Sequence, residues 1–402
     1  MSLARHFVWP GNSQTGSYLN QHCYTFAVKT DVAIIGAGPI GLELAAVLQE
    51  AGLDYQQFDA GQIGHTISWF PQQSQFFSSP DRISICGVPL ATTDQTKASR
   101  ETYLAYLRSV VQLFDLHINT YTRVTAIEPF EQEGDASFNL QLATMHGNET
   151  CQAKRVVVTI GDMHRSRLLN IPGEELPHAS HYFQEPHAYF NKRVLIVGGR
   201  NSAIEAAIRC FRAGADVAIS YRGNEFDSKA VKYWLKPEID WLIKSNQIKF
   251  YPYTTPREIK TGEVVLGTTP SEKGVCATGE EKRQQCVHAD FVLLMTGYEM
   301  DTSLLTGAGV QLHGCNDSPV VNLETMETNV PSLYVAGTAV AGTQRRFKLF
   351  IENCHPHVVR LARELTGDSA YSPKRMNPLG YSRLNENPDF AEHAPEVDTL
   401  EN

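Results

Sequence analysis

The sequence predicts an α/β protein with two Rossmann-like dinucleotide-binding domains, and two observations lead to that prediction. The first is a repeated unit, in which a buried strand runs into a glycine-rich turn and then into a helix. One turn begins at Gly36 and the other at Gly198. The second observation is the length of 402 residues, which is enough for two or three domains with separate hydrophobic cores.

Composition excludes several classes of function. The 35 basic and 44 acidic residues give a formal net charge of −9, so bulk electrostatics favour neither nucleic acid nor an anionic membrane as a partner. No apolar run approaches the ~20 residues of a membrane span. The N-terminal segment lacks the pattern of a secretory signal, and the eight cysteines form no C-x-x-C pair or metal-finger spacing. We therefore expect a cytoplasmic protein without a metal site.

The first glycine turn, Gly36-Ala37-Gly38-Pro39-Ile40-Gly41, follows an apolar strand and opens a helix. In a G-x-G-x-x-G turn the first glycine makes the tight bend, the second lets a pyrophosphate approach, and the third lets the helix pack closely. The helix N-terminus then offers free N–H groups to the anion. Asp59 ends the next predicted strand, where a carboxylate accepts the ribose hydroxyls of an adenosine. The turn predicts dinucleotide binding; the alternative is a turn used only for packing.

The second turn reads Gly198-Gly199-Arg200-Asn201-Ser202-Ala203, with Ala203 in an accepted variant of the third glycine position. The strand after it ends without an acid. Arg222 stands there instead, in the place that corresponds to Asp59 of the first unit. An arginine pairs with a 2′-phosphate, so we expect NADPH in preference to NADH. The alternative for Arg222 is a solvated cation in a loop.

Hydrophobic periodicity predicts the remaining elements. We expect helices over residues 103–114, 229–245 and 345–365, and strands over 118–127, 138–143, 155–160, 217–221 and 291–295, with others near Ile248 and Val264. Residues 128–136 are predicted to form a charged turn. Residues 1–29 are expected to be an N-terminal extension and residues 367–402 a weakly packed tail.

The order of motifs resembles the flavoproteins with two dinucleotide-binding domains. The two turns alternate with Thr159-Ile160-Gly161-Asp162, with 294–298 (Leu-Met-Thr-Gly-Tyr) and with 333–337 (Leu-Tyr-Val-Ala-Gly). In that superfamily the first domain binds FAD, and the second binds NAD(P)H and is inserted in the first. The resemblance implies an FAD domain over residues 30–165 and 298–366, and an NADPH domain over residues 166–297.

Within that superfamily the chain is most similar to the thioredoxin-reductase-like branch that lacks a C-x-x-C dithiol, the bacillithiol disulfide reductases. The similar stretches are 76–79, 169–174, 180–183, 198–207 and 350–353. Taken with the glycine turns, the resemblance implies cofactor contacts by Gly36, Gly38, Pro39, Gly41, Asp59, Thr66, Val124, Gly161, Gly198, Asn201, Ser202, Ala203, Arg222, Gly297, Gly337 and Thr338.

Two residues depart from the family pattern. Ile40 stands where the bacillithiol branch has a cysteine, so a disulfide-exchange step lacks its expected nucleophile. Thr338 stands where many relatives have an aspartate that holds the ribityl or phosphate region of the flavin. We assign no catalytic residue from the sequence.

Other side chains have two interpretations each. Cys354 neighbours His355 and His357, and a thiol beside imidazole groups is a candidate nucleophile. The alternative is that Cys354 is a buried cysteine on a helix kinked by Pro356. Cys86 is a second candidate thiol. The basic run 345–348 either attracts an anionic substrate or is a solvated rim. The aromatic pairs at 69–70 and 76–77 either flank the FAD or belong to the core.

The sequence therefore favours an NADPH-dependent FAD oxidoreductase that passes hydride to a low-molecular-weight disulfide or a similar two-electron acceptor. The partner would be that small electron acceptor, and the protein a homodimer or homotetramer. The main alternative is a flavin-dependent monooxygenase that uses NADPH and oxygen. Its F-x-G-x-x-x-H signature is not matched, because the interval from Gly173 to His178 is one position too long and position 171 is Ile171. A flavin-binding redox sensor without turnover is a third alternative.

Overall fold

We analysed a computed structural model of the chain. It describes residues 28–93, 96–132, 135–228, 231–268, 284–344 and 349–376. The helices are α1 (Pro39–Glu50), α2 (His65–Ser68), α3 (Pro80–Ile83), α4 (Arg100–Phe114), α5 (Asn201–Arg212), α6 (Lys236–Lys244), α7 (Ser303–Gly307) and α8 (Ile351–Thr366), with 3₁₀ turns at Pro186–Tyr189 and Gly337–Ala341.

The strands are numbered in chain order. They are β1 (Val28–Ile35), β2 (Tyr55–Phe58), β3 (Ile118–Asn119), β4 (Arg123–Gln132), β5 (Asp135–Thr144), β6 (Gly147–Val158), β7 (Arg165–Ser166), β8 (Ala179–Ser180), β9 (Arg193–Val197), β10 (Asp216–Ser220), β11 (Lys249–Tyr251), β12 (Thr254–Lys260), β13 (Glu263–Thr268), β14 (Gln284–His288), β15 (Phe291–Leu294), β16 (Tyr298–Glu299), β17 (Leu312–His313), β18 (Ser318–Pro319) and β19 (Leu333–Val335).

The first sheet has the order β3-β2-β1-β6-β5-β4, and β19 also pairs with β6. Strands β3, β2, β1, β6 and β19 run parallel, whereas β4 and β5 form an antiparallel meander on the first half of β6. The parallel part is the Rossmann-like unit, since the glycine turn 36–41 joins β1 to α1. Its switch point lies between β1 and β6, where ligands of such sheets bind.

The second sheet, β11-β10-β9-β15-β8, is parallel throughout and contains the second glycine turn between β9 and α5. A three-stranded antiparallel sheet, β12-β13-β14, lies beside it, and side chains of both sheets share one core cluster. The chain segment that forms these two sheets follows β6 and precedes β19. This second unit is therefore inserted in the first, as predicted.

The two units have separate cores and a narrow connection. Buried apolar residues of the first core come from 32–158 and 300–376, and those of the second unit from 183–294. The chain crosses between them through β7 and β16, which pair antiparallel with Ser166 opposite Tyr298. The junctions proposed from the sequence, at 165/166 and 297/298, lie within β7 and at the start of β16.

Several element boundaries differ from the sequence predictions. Residues 128–132 and 135–136 are strand and not turn, because the β4–β5 ladder continues to Gln132 opposite Asp135. Helix α6 begins only at Lys236, where Pro237 in the first turn fixes the start. Helix α8 begins at Ile351, since the Asn353 side chain caps the Phe350 N–H at 2.7 Å. Residues 1–27, the basic run 345–348 and residues 377–402 lie outside the described part.

Candidate functional site

The first glycine turn is closed on its inner side and open on its outer side. A Cβ atom on Gly36, whose φ is +116°, would lie 2.6 Å from the Thr159 carbonyl oxygen, and one on Gly41 would lie 2.2 Å from the Gly36 oxygen. Thr159 also donates from its hydroxyl to the Ile35 carbonyl at 3.1 Å. A Cβ on Gly38 would meet nothing within 4 Å. The open side is therefore at the glycine where a pyrophosphate approaches, and the turn fits such a group.

Asp59 lies at the carboxyl end of β2, as predicted. Its carboxylate accepts the Ala37 N–H at 2.6 Å and the Gly61 N–H at 2.8 Å. Because a carboxylate accepts about four hydrogen bonds, these contacts fix its position and leave acceptor capacity for ribose hydroxyls. Pro39 occupies the first turn of α1, where its missing N–H costs no helical hydrogen bond.

Two further predicted contacts lie next to the first turn. Thr66 is in α2, and α2 is held beside the turn by the Gly64 N–H, which donates to the Ala37 carbonyl at 3.0 Å. Val124 is buried on β4. The chain reaches it from the Asp59 loop, since the Thr122 N–H donates to the Asp59 carbonyl at 2.8 Å.

The loops after β6 and β19 meet at the same edge of the sheet. A Cβ on Gly161 would lie 3.7 Å from the Thr338 hydroxyl oxygen, and one on Gly337 would lie 3.6 Å from the Ile40 side chain. Both glycines have positive φ, +77° and +74°. The structure therefore places Gly161, Gly337, Thr338 and Ile40 together beside the first turn.

The sequence analysis did not single out Asp162, which is 8% exposed in this cluster. Its Oδ2 accepts a hydrogen bond from the Gln344 amide at 2.9 Å, and Thr338 also hydrogen-bonds to the carboxyl group. Burial raises the pKa of Asp162, although both hydrogen bonds act against that shift. The signal that would have identified it is an acid directly after the Thr-x-Gly motif.

Helix α8 supplies a neutral histidine to this region. The Gly337 N–H donates to His357 Nδ1 at 3.2 Å, so that nitrogen is an acceptor. Burial, with Arg360 and His355 adding to it, lowers the pKa of His357 to about 3. His357 therefore fixes the Gly337 backbone without carrying charge.

A second buried pair links α1 to α8. His355 Nδ1 lies 2.6 Å from the Glu43 carboxylate, its Nε2 lies 3.0 Å from the Arg82 carbonyl, and both side chains of the pair are 0% exposed. A Glu43 carboxylate and the Arg82 carbonyl both accept hydrogen bonds, an arrangement that favours a proton on each nitrogen of His355. Burial opposes that charge, but Glu43 and the Arg82 carbonyl outweigh it and raise the pKa of His355.

The second turn is also tight. A Cβ on Gly198, whose φ is +141°, would lie 2.5 Å from the Met295 carbonyl oxygen and 3.0 Å from the Ala203 side chain. A Cβ on Gly199 would lie 2.3 Å from the Tyr221 ring. Gly297 lies just beyond Met295, and its carbonyl accepts the Arg167 N–H at 2.9 Å, so it begins the connecting ribbon.

The polar residues of the second turn have different surroundings. Asn201 begins α5, and its side-chain oxygen accepts the Lys232 N–H at 2.7 Å, while its backbone N–H lies in the first turn of the helix. Ser202 and Arg222 are exposed. Arg222 follows β10 at the carboxyl edge of the sheet, on the side where a nucleotide bound at the turn would place its ribose.

Among the described residues, the segment 69–77 of the first unit contacts the second unit. The Lys232 ammonium donates to the Gln75 carbonyl at 2.8 Å, and the Phe77 and Trp234 rings stack with centroids 6.0 Å apart. Trp69 contacts Tyr182 edge to face at 6.2 Å. Phe70 and Phe76 pack against the first core. Of the predicted aromatic pairs, one member of each therefore lies at the interface and the other in the core.

The two candidate thiols, Cys354 and Cys86, are not activated. All six described cysteines are free, and Cys354 and Cys86 are 0% and 3% exposed. Burial raises the pKa of both thiols, and the Glu43 carboxylate raises that of Cys86 further. A raised pKa removes the thiolate that acts as the nucleophile. The geometry therefore favours the inert interpretation of both residues.

Residues 33–337 match the family described as pyridine nucleotide-disulphide oxidoreductase. The chain belongs to this family. A bacilliredoxin reductase from Bacillus subtilis is 31% identical over 338 residues, which are 84% of this chain and 98% of the relative. The solved bacillithiol disulfide reductase of Bacillus cereus has a TM-score of 0.76 at 32% identity and covers 84% of this chain and 99% of its own.

A variant of a flavin monooxygenase from Stenotrophomonas maltophilia has a TM-score of 0.64 at 18% identity, with 85% of this chain and all of the other covered. That likeness shows the fold alone. The comparisons confirm the predicted resemblance, the fold class and the prediction of an FAD-containing oxidoreductase that uses FAD and NAD(P)H.

Neither a metal cluster nor a membrane span is found among the described residues. In that part of the chain, no three His, Cys, Asp or Glu side chains group closely enough to hold a metal ion. No helix there is both long enough and apolar enough to cross a bilayer.

Proposed function

We propose that this enzyme passes hydride from NADPH through FAD to a low-molecular-weight disulfide or a comparable two-electron acceptor. The observation that carries the proposal is the similarity to a bacilliredoxin reductase and to a bacillithiol disulfide reductase, at 31% and 32% identity over 84% of the chain. FAD supplies the hydride and electron chemistry when it is bound. The residues of the chain position the two nucleotides at the two glycine turns.

The first turn would hold FAD. Gly36, Gly38 and Gly41 shape the phosphate-binding turn, and Asp59 is fixed where it can accept ribose hydroxyls. Gly161, Gly337 and Thr338 lie after β6 and β19 at one edge of the sheet, and Thr66 and Val124 would add contacts from α2 and β4. Gly198 and Ala203 shape the second turn, and Arg222 would pair with the 2′-phosphate of NADPH.

The disulfide would be reduced without a thiol in the first turn, because Ile40 stands there and is 6% exposed. Cys354 and Cys86 are buried thiols with raised pKa, so neither offers a thiolate. Since neither of these two candidate thiols offers a nucleophile, we infer that the flavin passes both electrons directly to the acceptor. We also propose that the electron acceptor is a small molecule and that the protein forms a homo-oligomer.

Little in the geometry favours the monooxygenase alternative. The two residues that come nearest to its signature contact strand β12 of the second unit: a Cβ on Gly173 would lie 1.9 Å from the Ile259 carbonyl oxygen, and His178 Nε2 lies 3.1 Å from the Lys260 carbonyl. Both contacts are with β12, so packing explains these residues.

The test is anaerobic reduction of the purified protein by NADPH, followed by turnover with a panel of acceptors. We expect the flavin absorbance to bleach with NADPH and to return with a low-molecular-weight disulfide such as bacillithiol disulfide. Reoxidation by air with formation of a hydroxylated product, and none by any disulfide, would contradict the proposal and favour the monooxygenase.

A further inference from the structure

Asp162 and Thr338 form a buried polar contact at the position where the chain departs from its flavoprotein relatives. Thr338 stands where the resemblance implies an aspartate. Asp162 is 8% exposed and hydrogen-bonds to Thr338, so the chain has a carboxyl group next to the position from which one is missing.

The carboxyl group is held in a fixed orientation. The Gln344 amide nitrogen donates to Asp162 Oδ2 at 2.9 Å and to the Leu349 carbonyl at 3.0 Å. The Gln344 amide oxygen accepts the Leu349 N–H at 2.9 Å. Gln344 is therefore tied to the backbone at both ends of its amide, and a second donor, Thr338, fixes the carboxyl from the loop after β19.

This contact lies at the edge where the first turn opens. Gly161 precedes Asp162, and a Cβ on it would lie 3.7 Å from the Thr338 hydroxyl. A Cβ on the neighbouring Gly337 would contact Ile40 at 3.6 Å, and Ile40 belongs to the turn itself. Parallel strands deliver the loops after β6 and β19 to one edge, so Asp162 is a part of the wall that a dinucleotide at this turn would face.

Burying a carboxyl group is costly unless it has hydrogen-bond partners. A carboxylate accepts about four hydrogen bonds, so a hydroxyl of a ligand can bond to it together with Thr338 and Gln344. Two carboxylates, one at 162 and one at 338, would repel each other because the two side chains lie within hydrogen-bonding reach. This explains why the acid at 162 accompanies a threonine at 338.

We propose that Asp162, oriented by Thr338 and Gln344, makes the carboxyl contact to the ribityl hydroxyls of FAD that relatives make from position 338. On this proposal the carboxyl group that the resemblance implies at position 338 is supplied instead by Asp162, from the adjacent loop. The proposal rests on FAD binding at the first turn, and the flavin content of the wild-type protein tests that point separately.

The experiment compares Asp162→Ala, Thr338→Asp and the double variant as apoproteins. The FAD dissociation constant is measured by flavin fluorescence, and the Tm of each apoprotein by circular dichroism. Loss of a charge-assisted hydrogen bond weakens binding roughly 10- to 150-fold, so we expect that for Asp162→Ala. Thr338→Asp alone should also bind FAD less tightly, because two carboxyl groups would then adjoin.

The double variant is the decisive measurement. Asp162→Ala with Thr338→Asp should recover most of the lost affinity, since the carboxyl returns to the same space from the other loop. Asp115→Asn, an exposed acid at the end of α4, is the control and should bind FAD like the wild type.

Two results would overturn the proposal: Asp162→Ala that binds FAD as tightly as the wild type, or a folded double variant that remains as weak as Asp162→Ala. If Asp162→Ala does not fold, Asp162→Asn keeps the shape and should bind FAD roughly 5-fold less tightly. Wild-type affinity in that variant would likewise overturn it. A wild-type protein that binds no flavin would instead contradict the cofactor assignment.

Discussion

Both glycine turns begin with a glycine of positive φ and lead into a helix, but the chain surrounds them differently. Helix α1, which leaves the first turn, is buried continuously from Ile40 to Leu48 and contacts both α8 and α4. Helix α5, which leaves the second turn, buries one face only, and Ser202 and Arg222 beside it are exposed. The residues that follow the second strand of each unit differ in the same way. Asp59 of the first unit accepts hydrogen bonds from two backbone N–H groups, whereas Arg222 of the second unit is exposed.

This difference separates a permanent site from an exchanging one. A helix enclosed by the core, such as α1, moves only with a large part of the domain, whereas a helix with an exposed face, such as α5, moves without such opening. We infer that the first turn retains FAD through many turnovers and that the second binds and releases NADPH in each one. The predictions below test that comparison, from the largest expected effect to the smallest.

Gly38→Leu is expected to abolish FAD binding and leave the apoprotein folded. A Cβ at this position meets no atom within 4 Å, so the side chain is accommodated but occupies the space of the pyrophosphate. Flavin absorbance after reconstitution and the Tm of the apoprotein measure the two effects. Gly307→Leu, equally open and at the end of α7, is the control. Retention of FAD by Gly38→Leu would show that the pyrophosphate binds elsewhere.

Glu43→Gln is expected to lower the free energy of unfolding by about 3 to 5 kcal/mol, because it leaves the His355 charge buried without a partner. The matched change at the second turn is Glu205→Gln. Glu205 pairs with Lys232 at 3.4 Å and is 16% exposed, so its loss should cost less. Urea denaturation of the two variants measures the difference. Equal losses would mean that the first helix is no more tightly integrated than the second.

The same pair predicts a pH dependence of stability. The folded state raises the pKa of His355, so the stability it contributes is fully present below about pH 6.5, its ordinary value. That contribution is lost as the pH rises through the folded-state pKa. The Tm of the wild type should therefore fall with rising pH more steeply than that of Glu43→Gln. Parallel curves would contradict the protonated state of His355.

Arg222→Ala is expected to reduce the preference for NADPH over NADH roughly 10- to 150-fold, the worth of a charge-assisted hydrogen bond of ~1.5 to 3 kcal/mol. Turnover with NADH should stay nearly unchanged. The kcat/KM for each nucleotide is the measurement, with Arg212→Ala, another exposed arginine of the second unit, as the control. An equal loss with both nucleotides would show that Arg222 positions its loop.

Cys354→Ser and Cys86→Ser are expected to have the smallest effect. Hydride transfer needs no thiol, and both thiols are buried with raised pKa. Flavin reduction by NADPH and disulfide-dependent turnover should both persist. Loss of disulfide turnover with intact flavin reduction would identify that cysteine as the nucleophile.

The sequence predicted the parts of this molecule that depend on local pattern. Strand, turn and helix at each glycine motif follow from apolar runs and glycine spacing within one short, continuous segment. The contacts that distinguish this chain join distant segments: Asp162 meets Gln344 across 182 positions, and Glu43 meets His355 across 312. Periodicity carries no information about such pairs, although an acid on the apolar helix α1 indicates that a buried partner exists.

The narrow ribbon of β7 and β16 makes the inserted unit a cassette. Ser166 and Tyr298 are paired neighbours on antiparallel strands, where Cα atoms lie about 4.5 to 5.5 Å apart. A short glycine linker would therefore reconnect the chain after removal of residues 167–297, and no strand of the first sheet would be cut. Relatives could exchange this unit at the same two positions, and so acquire a different reductant without redesign of the flavin-binding core.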